Sequence, residues 1–169
     1  LMCGLISCVQ VPYQDPNKGE QLAISSVRDI PIVFSQGSTF SLAPKFAKKN
    51  SLPSKQMQAF YQLYADEIIA SLQAQGYRYQ AHNQTDFEVG YLIALEEDVD
   101  DRIINERFGV SPGLHVTDNM EKGSFLIYIE DKATSQRVWR GAVQGFVQED
   151  FSESEREQRI VNVVNMVLS

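Results

Sequence analysis

The stretch 86–95 constrains the fold more than any other part of this chain. In Asp-Phe-Glu-Val-Gly-Tyr-Leu-Ile-Ala-Leu, the residues Phe87, Val89, Tyr91, Ile93 and Leu95 recur at a period of two. Successive strand residues point to opposite sides of a sheet, so this pattern predicts a strand with one strongly apolar face. The other face carries Glu88, Gly90, Leu92 and Ala94, which predicts partial cover there. A strand with a buried face needs partners and a covering layer, and the rest of the chain has to supply both.

The partners are legible. Residues 123–130 alternate with Phe125, Ile127 and Ile129 on one side, residues 131–136 make a turn, and residues 137–148 return with Trp139, Val143 and Val147 on one face. This pair reads as an antiparallel hairpin. Thr39-Phe40-Ser41-Leu42-Ala43 is a short strand after a turn at residues 35–38, and residues 22–34 hold an edge strand that Pro31 keeps off a central position. Residues 44–53 form a basic, lysine-rich loop.

Two helices supply the cover. Ser54 is a candidate N-cap, and Met57, Phe60, Tyr61, Tyr64, Ile68 and Leu72 form one apolar stripe that Gly76 terminates. Ser152-Glu153-Ser154-Glu155 has the form of a capping box, with Ile160, Val163, Val164 and Val167 on one face of the helix it opens. The expected fold is therefore α+β. It is an antiparallel sheet of about four to six strands covered on one face by two amphipathic helices, a two-layer sandwich. At 169 residues the chain is long enough for one self-sufficient core.

The N-terminus reads differently. Cys3 and Cys8 are the only cysteines, and residues 1–8 are apolar and uncharged before an abrupt change to the polar, turn-rich residues 9–19. Leu5-Ile6-Ser7-Cys8 resembles a bacterial lipobox. That resemblance implies recognition of Leu5, Ile6 and Ser7 by a signal peptidase, cleavage before Cys8, and attachment of lipid to the Cys8 sulfur. Two or more acyl chains suffice for stable anchoring. Val9, where an aspartate would resemble an inner-membrane retention signal, points to the outer membrane. The expected organisation is a signal-peptide remnant over 1–7, a lipidated tether over 8–21 and one domain over 22–169. The chain reads as a fragment, with the basic start of the signal preceding Leu1 and the last helix breaking off at Ser169 in mid-pattern.

Several blocks of the body together resemble a known family. They are Thr39 to Pro44, Ile68 to Tyr77, Thr85-Asp86-Phe87-Glu88-Val89-Gly90-Tyr91, Lys122 to Asp131, Val138-Trp139-Arg140-Gly141-Ala142 and the closing helix of residues 160–168. They are similar to the bacterial lipoprotein family known as domain of unknown function 4136 (DUF4136), over about residues 38–169. Leu42 departs from the family's usual tryptophan, and residues 96–120 are a long acidic insertion. The resemblance implies this fold and a lipid anchor, and it implies no activity.

Chemistry is sparse. Acidic residues outnumber basic ones, 22 against 15, for a net charge of −7, which argues against nucleic acid as a partner. No run of ~20 apolar residues occurs. His82 and His115 are isolated, there is no G-x-S-x-G elbow, and there is no phosphate loop or dinucleotide fingerprint. No cofactor or metal is expected, and the chain reads as a non-enzyme. Asp86 reads as a strand-start residue.

Glu96, Glu97, Asp98, Asp100 and Asp101 form an acidic cluster without the spacing of a calcium loop, and the insertion shows no period. Trp139 is expected as a core anchor beneath a helix. Arg140 should point away from it and pair with Glu130 or Asp131, and Gly141 should allow a close approach. Trp139, Arg140 and the acidic cluster are the candidate partner or ligand surface. The expected role is binding or scaffolding of a protein or other envelope component, at the membrane through the anchor. The rivals are a hydrolase with dispersed carboxylates and a soluble secreted domain.

Overall fold

The computed structural model describes residues 22–45, 54–82, 84–95, 101–109, 114, 121–147 and 151–169. The elements are β1 (Leu22–Arg28), β2 (Thr39–Lys45), α1 (Lys55–Ala74), β3 (Arg78–Tyr79), β4 (Phe87–Leu95), α2 (Asp101–Phe108), β5 (Glu121–Asp131), β6 (Gln136–Val147) and α3 (Glu153–Leu168). They form an α+β fold around one six-stranded sheet of order β1-β6-β5-β4-β2-β3.

The sheet is mixed, which corrects the expectation of an antiparallel one. The block β1-β6-β5-β4 is antiparallel throughout, while β2 runs parallel to both β4 and β3. Parallel neighbours need a crossover, and α1 carries the chain from β2 to β3. Asp86 then fixes the start of β4 beside the start of β2, because its Oδ2 accepts from the Thr39 amide (2.7 Å) and the Thr39 hydroxyl (3.0 Å). Those two bonds, the amide first, hold the Asp86 carboxyl below its ordinary range. The β5–β6 pairing slips by one residue between Ile129 and Glu130, a bulge that leaves Val138 unpaired in the register.

The helix ends follow the local signals. Ser54 Oγ accepts from the Met57 amide (3.1 Å) at the start of α1. At its end the Gly76 amide donates to the Gln73 carbonyl (3.0 Å) and the Tyr77 amide to the Leu72 carbonyl (3.1 Å), the paired bonds of a Schellman motif. The box at α3 is complete: Glu155 Oε2 accepts from the Ser152 amide (2.9 Å) and the Glu155 amide donates to Ser152 Oγ (3.3 Å).

The main core lies between the sheet and the α1–α3 layer. Phe40, Ile68, Phe87, Val89, Ile127 and Val164 are among its fully buried members. Phe87 is the hub of an aromatic cluster, stacked on Phe34 (4.5 Å) and Phe40 (5.6 Å) and met edge-on by Tyr77 (5.3 Å). Such geometries add to the area they bury. Tyr61 ties α1 to the strands, donating to the Lys45 carbonyl (2.6 Å) and accepting from the Ile93 amide (3.1 Å). Burial pushes the Tyr91 phenol up to about 12.

The second face is covered as well, a further correction to the two-layer expectation. Ile104 of α2, fully buried, packs on Leu92, Ala94, Leu126 and Ala142. The insertion expected as a loop thus supplies a helix. Leu114, further along it, is pinned at both backbone atoms: its amide donates to Gln144 Oε1 (3.2 Å) and its carbonyl accepts from Lys122 Nζ (3.2 Å).

Candidate functional site

The candidate site follows from how α1 and α3 meet. Near their C-termini they are joined, because Gln75 Nε2 donates to the Leu168 carbonyl (3.1 Å) and Asn165 Nδ2 to Glu67 Oε1 (2.9 Å). Toward their N-termini they diverge, and a cleft of about 500 Å³ opens between them over the sheet. Met57, Phe60 and Tyr64 of α1 form one wall, and Ile160 and Val163 of α3 form the other. Ile93, Phe125 and Val143 from the three central strands make the floor. Tyr64 stacks on Phe125 (4.6 Å), and burial raises its phenol to about 12 against the opposing pull of Arg159.

At the α3 end, Arg156, Arg159 and Phe151 line the opening, with the Arg159 guanidinium 5.4 Å from the Phe151 ring centre. A Cβ at Gly145 would stand 2.6 Å from Arg159 Nη2, so the bare backbone of β6 admits this side chain. Among the described lining residues there is no carboxylate, imidazole or thiol. The two facing acids that glycoside hydrolysis requires are therefore not found in the described lining. Among the described residues no cluster of three His, Cys, Asp or Glu side chains is placed to hold a metal.

The residues singled out from the sequence fall elsewhere. Leu5, Ile6, Ser7, Cys8, Glu96, Glu97, Asp98 and Asp100 lie outside the described residues, as does His115. Asp101 opens α2 on the second face of the sheet. Trp139 is half-buried against the main core, where a Cβ on Gly141 would come within 2.6 Å of Val167 Cγ2 and 2.8 Å of the Trp139 ring. The close approach expected at Gly141 is therefore that of α3.

Arg140 points to the opposite face, so it and Trp139 do not share one surface. Its partner is Asp29 (2.9 Å) rather than Glu130 or Asp131 across the hairpin, and its Nη1 donates to the Phe108 carbonyl at the end of α2 (2.6 Å). Gly109 follows at φ +64°, and Arg140 occupies the space a side chain there would need. Arg140 is thus a fastening between β6, the segment after β1 and α2. His82 is exposed and accepts from the Gln84 amide (3.3 Å).

The cleft itself was missed in the sequence. Its walls belong to the stripes read as core. The signal that marks them is the placement of Arg156 and Arg159 within the apolar register of α3's first turns.

Fold and site together define a small α+β domain with a mixed sheet, helices on both faces and an apolar cleft where two helices splay. Residues 27–169 match the family DUF4136, described as a domain of unknown function, and the chain belongs to that family. The match begins inside β1, earlier than the blocks from residue 38 implied.

Among solved structures, the chain is similar to a PDZ domain protein from Parabacteroides distasonis, at 10% identity over 88% of this chain and 35% of that one, with a TM-score of 0.54. It is similar to a PelC dodecamer from Paraburkholderia phytofirmans, at 9% identity over 88% of this chain and 98% of that one, with a TM-score of 0.50. Lipoprotein GNA1162 from Neisseria meningitidis aligns at 12% identity over 78% of this chain and 97% of that one, with a TM-score of 0.45. At such identities the first two likenesses are of fold. No curated protein matches the sequence significantly.

Proposed function

We propose that this protein is a lipid-anchored, non-enzymatic binding or scaffolding module of the bacterial cell envelope, held by Cys8 at the outer membrane with its domain in the periplasm. The observation that carries the reading is the cleft. It offers apolar surface and cationic groups in a volume of the size that small-molecule sites have. The anchor is supported by Leu5-Ile6-Ser7-Cys8 and by the polar residues that separate Cys8 from β1, which begins at Leu22. No helix among the described residues is long and apolar enough to cross a membrane.

The test is Cys8→Ser in the full-length precursor, with radioactive palmitate labelling and membrane fractionation. The parent should carry label and sediment with outer membranes, and the variant should lose both. An unlabelled parent, or a variant that still fractionates with membranes, removes the anchor from this reading.

A further inference from the structure

We infer that the cleft between α1 and α3 takes one acyl chain of the lipid on this chain's own Cys8. This rests on the anchored-module reading and gives the cleft its occupant. Three observations carry it.

The first is surface. About 500 Å³ falls within the ~300–1,000 Å³ of small-molecule sites, and the walls and floor are aromatic and aliphatic. Ser54 Oγ caps α1, and Ser124 Oγ accepts from Gln144 Nε2 (3.3 Å). Gln56 is exposed in the first turn of α1, Arg156 stands in the first turns of α3, and Arg159 lies over the Phe151 ring. An alkyl chain asks nothing of these polar groups, because removing its methylenes from water is the driving force.

The second is shape. Ile93, Phe125 and Val143 are successive partners across β4, β5 and β6, and in the next row of that face Gly123 pairs directly with Gly145. All five line the cleft. A bare row beside a row of large side chains makes a trough across the strands, which is the form of a linear chain.

The third is where the chain enters the domain. Leu22 opens β1 as the partner of Gly145, and its Cδ2 lies 2.7 Å from where a Cβ on Gly145 would stand, so Leu22 leans across the floor and lines the cleft. Residues 9–21 alone separate Cys8 from Leu22, a reach of at most about 50 Å. An acyl chain on that tether is presented to the cleft at an effective concentration of about millimolar. The β1 strand is also an edge of the sheet, but its open side lies in the plane of the sheet and the cleft lies over its face. A peptide pairing with β1 would therefore not fill the cleft. An acyl chain held there is out of water whenever the protein is off the membrane, and a bilayer competes for it.

The test uses the full 169-residue chain, produced without export and carrying Cys3→Ser so that Cys8 is the one thiol. In calorimetric titration, hexanol, octanol and decanol should bind with affinity rising about fourfold per buried methylene. Alkylation of Cys8 with dodecylmaleimide should weaken decanol binding at least about tenfold, because the tethered chain competes for the cleft. Ethylmaleimide should leave it unchanged, and the dodecyl chain should remain monomeric.

Val163→Trp should abolish decanol binding by filling the cleft. If that variant fails to fold, Met57→Lys at a half-buried wall position decides, and it should weaken decanol by about fourfold or more. Absence of decanol binding, no dependence on chain length, or no effect of Met57→Lys overturns the proposal. So does decanol binding that the dodecyl group leaves intact, or a dimer formed through that group, because the lipid would then lie outside its own cleft. Intact decanol binding after alkylation, with palmitate label on the exported parent, removes the occupant and keeps the anchored module. An unlabelled parent removes both.

Discussion

The two faces of this sheet bury their residues by different means. Under α1 and α3, Phe40, Phe87, Val89, Phe125 and Ile127 meet helix stripes of matching character, and aromatic stacking fills the layer. On the other face the strands present smaller groups, Gly90, Ala94 and Ala142, beside buried polar ones, Lys122, Ser124 and Gln144. There the cover is one short helix and a pinned backbone, placed by hydrogen bonds that Lys122 and Arg140 donate and Gln144 accepts.

An apolar layer gains free energy from area and tolerates some sliding. A polar fastening is directional, and a missing partner leaves a buried group unsatisfied. The comparison teaches that the helical layer holds the domain together, while the opposite cover is a local unit fixed at particular points.

The largest effect should come from the hub of the first face. Phe87→Ala is expected to cost about 3–5 kcal/mol in denaturant unfolding, because three ring contacts and a filled core position are lost together. A cost below about 1 kcal/mol would break the comparison, since the hub would then be dispensable.

Ile104→Ala should cost less, about 2 kcal/mol, because α2 can open without the rest. Hydrogen exchange should rise in residues 101–109 and stay unchanged in α1. Faster exchange in α1 as well would show that the two layers are one cooperative unit.

Arg140→Met is expected to cost about 1–3 kcal/mol, because Asp29 and the Phe108 carbonyl lose a shared donor. Protection should fall at the end of α2 and along β1. An unchanged exchange pattern there would remove the fastening role.

The smallest effect concerns Asp86, which is exposed. Its carboxyl titrates lower when folded, so its contribution is present above the unfolded value near 3.8 and is lost as pH falls through the folded value. Asp86→Asn should flatten the acid limb of the stability–pH curve, measured by thermal unfolding between neutral pH and the acid end. An identical acid limb would contradict the Thr39 linkage.

What the sequence disclosed is what local periodicity encodes. The β4 alternation, the β5–β6 hairpin, the α1 stripe with its Ser54 cap and the α3 box all depend on residues a few positions apart. The parallel pairing of β2 with β4 does not. It is set by where α1 returns the chain, which no local pattern records.

Helix α2 was hidden because it is short, with Ile103, Ile104 and Phe108 as its apolar residues in an acidic context. Arg140 was read against its hairpin neighbours, whereas Asp29 reaches it across the β1–β6 edge. The cleft depends on the divergence of two helices whose stripes are visible separately but whose separation is not.

The central claim is that the α1–α3 layer holds the domain together and that the cover on the opposite face is a local unit. Native-state hydrogen exchange of the full chain, followed through increasing but sub-denaturing concentrations of denaturant, tests it most directly. The account predicts that residues 101–109 open first and at low cost, while α1 and α3 exchange only with global unfolding. Opening of α1 or α3 before residues 101–109, or of all three together, would contradict it.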